Sequence, residues 1–162
     1  VTGVQTCALP ILEAVIFVGL QGAGKSTFYL ERFFFTHLRI NLDMLKSRHR
    51  EKRILISCIE TGQPFVVDNT NPTRSERDVY IRVAKQAGFQ VVCYYFQSRV
   101  QECKLRNDLR PPDQRVPLLG ILGTAGRMDL PTRDEGFDKM LYVKIDQSEA
   151  GRFVVEEWKD EI

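Results

Sequence analysis

Apolar and polar positions follow one another along this chain in blocks that change period. Short runs of consecutive apolar residues are separated by longer stretches in which apolar positions recur every three or four residues. A continuous apolar run is expected of a strand buried on both faces, and the longer period is expected of a helix with one buried side. The pattern predicts strands over about residues 14–18, 37–41, 64–68, 90–96 and 140–145. It predicts helices over about 25–35, 43–61, 73–88 and 99–109, with Gly62 and Gly88 as stop signals. Phe28, Phe33, Phe34 and Phe35 read as core residues of the first helix. A last amphipathic helix carrying Phe153, Val154 and Trp158 is expected to dock on the sheet.

Strand–helix alternation with buried strands implies an α/β fold in three layers. The expected sheet is five-stranded, mainly parallel, and covered by helices on both faces. In such sheets ligands bind beyond the carboxyl ends of the strands. Residues 12–162 read as one domain of ordinary size, without repeats or an interdomain linker. Residues 1–11 resemble the translation of a sequencing adapter and are set aside from fold reasoning; the native start is then expected to be missing. They have neither the basic start nor the long apolar core of a signal peptide.

Charge excludes more than it suggests. With 23 basic against 21 acidic residues among 162, there is no global pull toward nucleic acid or membrane, so such a partner must be held locally. No apolar run is long enough to cross a bilayer. Outside the adapter-like segment, Cys58, Cys93 and Cys103 form no C-x-x-C pair and read as reduced core thiols of a cytoplasmic protein. His37 and His49 have no second ligand type at useful spacing, which argues against zinc.

The strongest chemical signal follows the first strand. Gly19, Gly24, Lys25 and Ser26 fit the P-loop spacing G-x-x-x-x-G-K-[ST] between a predicted strand and a predicted helix. Phosphate oxygens must be met by backbone N–H groups, so the loop carries small residues and permits positive φ. A nucleoside triphosphate is expected on Gly19, Gly22, Ala23, Gly24, Lys25, Ser26 and Thr27, with Lys25 on its terminal phosphates and Ser26 on Mg²⁺. No Asn-Lys-x-Asp segment is present to read guanine.

Two carboxylates end strands on the same edge. Asp68 closes an apolar run and is expected near the metal's water shell, or else as a turn aspartate. Asp43 follows the second strand, where an acceptor hydroxyl has to sit for in-line transfer, and reads as a general base or as the cap of the second helix. Arg106, Arg110 and Arg115 border a proline- and glycine-rich stretch, about residues 110–130, that reads as a mobile cover; Arg110 is the choice for the arginine that arrives on closure. Lys46, Arg50 and Arg53 share a helical face able to track a phosphate backbone, or simply solvated.

Taken together, Gly19 to Thr27, Ile40-Asn41-Leu42-Asp43, Asp68-Asn69-Thr70-Asn71-Pro72, Arg106-Asn107 with Arg110, Val116-Pro117 and the run from Pro131 to Asp138 resemble the kinase domain of the polynucleotide 5′-hydroxyl kinases and their bacterial AAA-type P-loop relatives. The resemblance implies ATP- and Mg²⁺-dependent transfer of the γ-phosphoryl group to a hydroxyl, on a 5′-OH nucleic-acid end or a small molecule. It implies Asp43 as general base, Lys25 and Ser26 as the P-loop pair, and Arg106 and Arg110 on the nucleotide phosphates. It places Lys46, Thr70 and Asn71 beside the acceptor and implies no obligatory protein partner. Lys46 and Leu42 stand where the family usually has arginines, and the cover is less charged than the family's; these departures touch the acceptor side and not the transfer. The phosphatase part of some members is expected to be absent from a chain of this length. A non-transferring ATP-binding module is the competing class, and it has no need of a carboxylate at position 43.

Overall fold

The computed structural model describes residues 11–149 and 151–160, so the adapter-like segment lies outside the described residues except for Ile11. The strands are β1 (Glu13–Val18), β2 (Leu38–Ile40), β3 (Phe65–Val67), β4 (Gln90–Phe96), β5 (Lys139–Asp146) and β6 (Arg152–Glu157). They form a sheet in the order β2-β3-β1-β4-β5-β6. All neighbours run parallel except β5 and β6. The helices are α1 (Lys25–Arg32), α2 (Leu42–Leu45), α3 (Arg48–Thr61), α4 (Arg74–Gln86), α5 (Val100–Asp108) and α6 (Leu118–Gly126).

The sheet has a core on each face. Ile16, Val67, Ile81 and Tyr95 belong to one; Phe17, Phe28, Val66 and Phe96 belong to the other. Neighbouring residues of one strand serve opposite cores because side chains alternate across a sheet, and both sides are covered. No helix among the described residues is long and apolar enough to cross a membrane.

Three expectations are corrected. The last element is the strand β6, not a helix, and the sheet therefore has six strands. The connection from Asp146, paired with Arg152, is short enough only for an antiparallel return. Phe153 packs edge-on against Phe28 in one core, and Trp158 against Tyr95 in the other. An odd spacing of five residues reaches opposite faces of an extended segment.

Secondly, α1 stops at Arg32. Phe33 turns inward, and its carbonyl accepts from Thr36 and His37, which bends the chain toward β2. Phe34 and Phe35 are exposed rather than core.

Thirdly, the long helix expected over 43–61 is two helices. Lys46 has φ 62° and ends α2, and Ser47 starts α3 by accepting from Arg50 N. Lys46 therefore does not continue the α3 face that carries Arg50 and Arg53. The cover stretch contains α6, which buries Ile121 and Thr124, and Asn107 bonds both backbone groups of Val116 at 2.8 and 2.9 Å.

Candidate active site

β1, β2 and β3 all end on one edge, and the loops beyond them line a cavity of about 400 Å³. Gln21, Gly22, Gly24, Lys25, Ser26 and Thr27 form one wall. Arg39, Asn41, Asp43, Asp68, Asn69, Thr70, Arg110, Gln114 and Val116 complete the lining, with Asp68 and Arg39 in hydrogen-bond contact with Ser26.

The glycine loop adopts the conformation its composition anticipates. Gly22 and Gly24 have φ of 81° and 93°. A side chain at Gly22 would run into the Cys103 carbonyl. That carbonyl belongs to α5, so the loop lies directly on the helix. Arg106 Nε donates to the Gly22 carbonyl at 2.6 Å, and Gly19 N donates to Thr70 O at 3.1 Å. Arg106 is thus a brace of the loop and does not line the cavity. Gly19 and Ala23 likewise lie behind the lining; Gly19 backs onto Phe96.

Lys25 is buried, with Nζ donating to the carbonyls of Gly19 at 2.9 Å and Leu20 at 2.7 Å. Burial lowers its pKa from 10.5 to about 8, against the pull of the Asp68 carboxylate. The ammonium is held at the loop by neutral carbonyls and is therefore ready for an anion.

Ser26 Oγ donates to Asp68 Oδ2 at 2.8 Å. A hydroxyl and a carboxylate oxygen are the hard donors that Mg²⁺ accepts when phosphate oxygens and waters complete its shell, so these two residues fit the ion. Asp68 is otherwise buried, and its backbone carbonyl accepts from Asn41 Nδ2 at 2.5 Å.

Asn41, and not Asp43, caps α2: its Oδ1 accepts from Met44 N at 2.9 Å. Asp43 is left exposed on the first turn and lines the cavity. Asn69 Oδ1 accepts from Leu42 N at 2.8 Å, and its amide donates to the buried Glu51 at 3.1 Å. The Asp43 turn is thus fastened to the end of β3 on both sides.

Of the residues expected beside the acceptor, Thr70 lines the cavity. Asn71 is buried at φ 45° and donates to Phe17 O at 2.7 Å, so it holds the turn against β1. Lys46 is not among the lining residues. Sequence reasoning missed Arg39, Gln21, Asn69 and Gln114. Arg39 lies in the middle of the predicted strand 37–41, so no end-of-strand signal marked it. Gln21 donates to Thr124 Oγ1 at 3.0 Å, tying the loop to α6, while its Oε1 is buried with no hydrogen-bond partner among the described residues.

A family profile described as an AAA domain matches residues 43–120, just under half of the chain. The gluconokinase of Sinorhizobium meliloti superposes with a TM-score of 0.61 at 16% identity, over 86% of this chain and 86% of that one. Kti12 of Chaetomium thermophilum, in complex with ADP-AlF3, superposes with a TM-score of 0.67 at 13% identity, over 85% of this chain and 92% of that one. The fold is that of the P-loop kinases. In sequence, this P-loop kinase fold is similar to the bifunctional polynucleotide phosphatase/kinase of Schizosaccharomyces pombe, 28% identical over 129 residues. The alignment covers 77% of this chain and 32% of that protein, so the chain spans about a third of that relative's length.

Proposed function

We infer that this chain is an ATP-dependent kinase that transfers the γ-phosphoryl group to an alcohol, with a polynucleotide 5′-hydroxyl as the favoured acceptor. One observation carries the reading: a single cavity is lined both by the P-loop and by Asp43. Support for the acceptor comes from the likeness to the phosphatase/kinase. Residues 12–162 act as one catalytic unit, with the segment from Arg110 to Leu130 as its lid. Free, buried Cys58, Cys93 and Cys103 suit a reducing cytoplasm.

The loop amides and Lys25 hold the β- and γ-phosphates. Ser26 and Asp68 would hold a Mg²⁺, which would neutralise charge on those phosphates. The acceptor oxygen attacks the γ-phosphorus as the bond to the β-phosphate oxygen breaks, and ADP leaves. The alcohol's proton passes to Asp43. In a loose transition state that proton leaves late, so an ordinary carboxylate in position is enough. Arg110 covers charge on the moving phosphoryl group from the lid side.

A small hydroxyl compound is the second reading, favoured by the cavity's lining. Its cations are Lys25, Arg39 and Arg110, and Lys46 stands outside it. Incubation with γ-labelled ATP, a 5′-hydroxyl oligonucleotide and a panel of small alcohols tests both. Label is expected on the oligonucleotide, and Asp43→Asn is expected to abolish it while nucleotide still binds. Label on a small alcohol alone replaces the acceptor; label only in free phosphate rejects transfer.

A further inference from the structure

β2 carries one residue that phosphoryl transfer does not obviously require. Arg39 Nε donates to Asp68 Oδ2 at 2.8 Å, and Nη2 donates to Ser26 Oγ at 3.0 Å. Nη2 also lies 2.7 Å from the same Asp68 oxygen. The two residues suited to a magnesium ion are therefore the two that a guanidinium of this chain already holds.

We propose that Arg39 is a tuning residue for the metal: its guanidinium competes with Mg²⁺ for Ser26 and Asp68, and so sets how much Mg²⁺ the nucleotide site needs. This rests on the nucleotide-binding reading above. Asp68 has a side chain only 1% exposed, so little of its charge is screened by water; the arginine compensates it instead. Ser26 gives its one hydroxyl proton to Asp68 and offers a lone pair to Arg39. A metal on that oxygen needs a lone pair too, and it brings two positive charges beside a third.

Arg39 reaches the pair from the solvent side. Its side chain is 29% exposed, whereas the carboxylate it holds is closed in. In the pose that holds Asp68 and Ser26, the guanidinium carbon also lies 5.9 Å from the centre of the Tyr29 ring, whose face helps to keep the arginine there. Tyr29 is itself anchored, its hydroxyl donating to His37 O at 2.7 Å. The site thus carries a built-in monovalent counter-ion that a divalent one displaces. A competitor of this kind raises the Mg²⁺ requirement without taking part in transfer, which separates Arg39 from the phosphate-binding Lys25 and from Arg110.

The test titrates a fluorescent ATP analogue into the full chain, in EDTA and across a Mg²⁺ series, with melting curves to check folding. For Arg39→Met the half-saturating Mg²⁺ concentration is expected to fall about tenfold, while Arg39→Lys, which keeps the charge, stays within about threefold of wild type. If the methionine variant does not fold, Arg39→Gln is held to the same expectation. An unchanged or raised Mg²⁺ requirement overturns the proposal, as does a lysine variant that behaves like methionine. A large loss of affinity in EDTA also overturns it, because Arg39 would then be a phosphate ligand. Failure of the wild-type chain to bind the analogue under any condition rejects the nucleotide reading itself, and the proposal with it.

Discussion

Arg77 and Glu135 form a two-pronged buried ion pair, Nε to Oε1 at 2.7 Å and Nη2 to Oε2 at 3.0 Å. The same guanidinium donates through Nη1 to the carbonyls of Asn71, Pro72 and Asp129 at 3.1, 3.1 and 3.0 Å. One side chain thereby joins the turn after β3 to the end of the lid segment. Removing it leaves a buried carboxylate without its counter-charge and takes this donor from the Asn71 and Asp129 carbonyls, while Pro72 O keeps Asp129 N at 2.8 Å. Arg77→Met is expected to lower the unfolding free energy by about 3–5 kcal/mol. Urea denaturation measures it; a loss below about 1 kcal/mol contradicts a bracing role.

Lys25 yields a pH prediction. Its pKa stands near 8 in the free protein, while the unfolded chain keeps the proton up to its ordinary 10.5. Between those values the unfolded state holds more protons, so this residue makes stability rise with pH across the window. The full difference is on the order of 3 kcal/mol. Polyphosphate favours the ammonium, so binding above about pH 8 takes up a proton, and affinity falls by up to about tenfold per pH unit. Calorimetry in two buffers of different ionisation enthalpy measures the uptake. Lys25→Met should abolish it.

Two glycines separate conformation from space. Gly22 needs its positive φ and has a backbone carbonyl where a Cβ would go, so Gly22→Ala is expected to weaken nucleotide binding by more than about tenfold and to cost roughly 2–4 kcal/mol of stability. Gly123 lies within α6, and a Cβ there meets nothing within 4 Å. Gly123→Ala should therefore stabilise by about 0.5–1 kcal/mol, as alanine does in a helix interior. Equal effects from the two would mean the loop is not held as described.

Arg110 lines the cavity, yet its guanidinium makes no hydrogen bond or ion pair among the described residues; only its backbone is engaged, by Asn107 and Arg115. On the proposed reading it is free to follow a moving phosphoryl group. Arg110→Ala is expected to reduce kcat by about a thousandfold or more with an unchanged melting temperature. A loss confined to KM would make it a ground-state contact instead.

The P-loop was legible because its chemistry is local. Glycines at 22 and 24 before a lysine and a serine dictate the backbone of the loop without help from distant residues. Asp43 and Asp68 were legible for a related reason, since residues just past buried parallel strands must share one edge. The break at Lys46 was not, because a continuous helical period runs through it. Nor was the separation of Phe34 and Phe35 from Phe33, since hydrophobicity does not say which of three adjacent rings the sheet can accept.

What the sequence alone determined was the alternation of buried strands and helices, and with it the three-layer fold and the phosphate loop. Those follow from periodicity and from backbone conformations that particular residues permit. Tertiary structure decided everything that depends on which distant groups meet: β6 returning beside β5, Arg106 turned to brace the loop, Asn71 spent on Phe17, and Arg39 laid across Ser26 and Asp68. A hydrogen bond has a direction and a length but no sequence spacing, so no reading of one strand at a time can supply it.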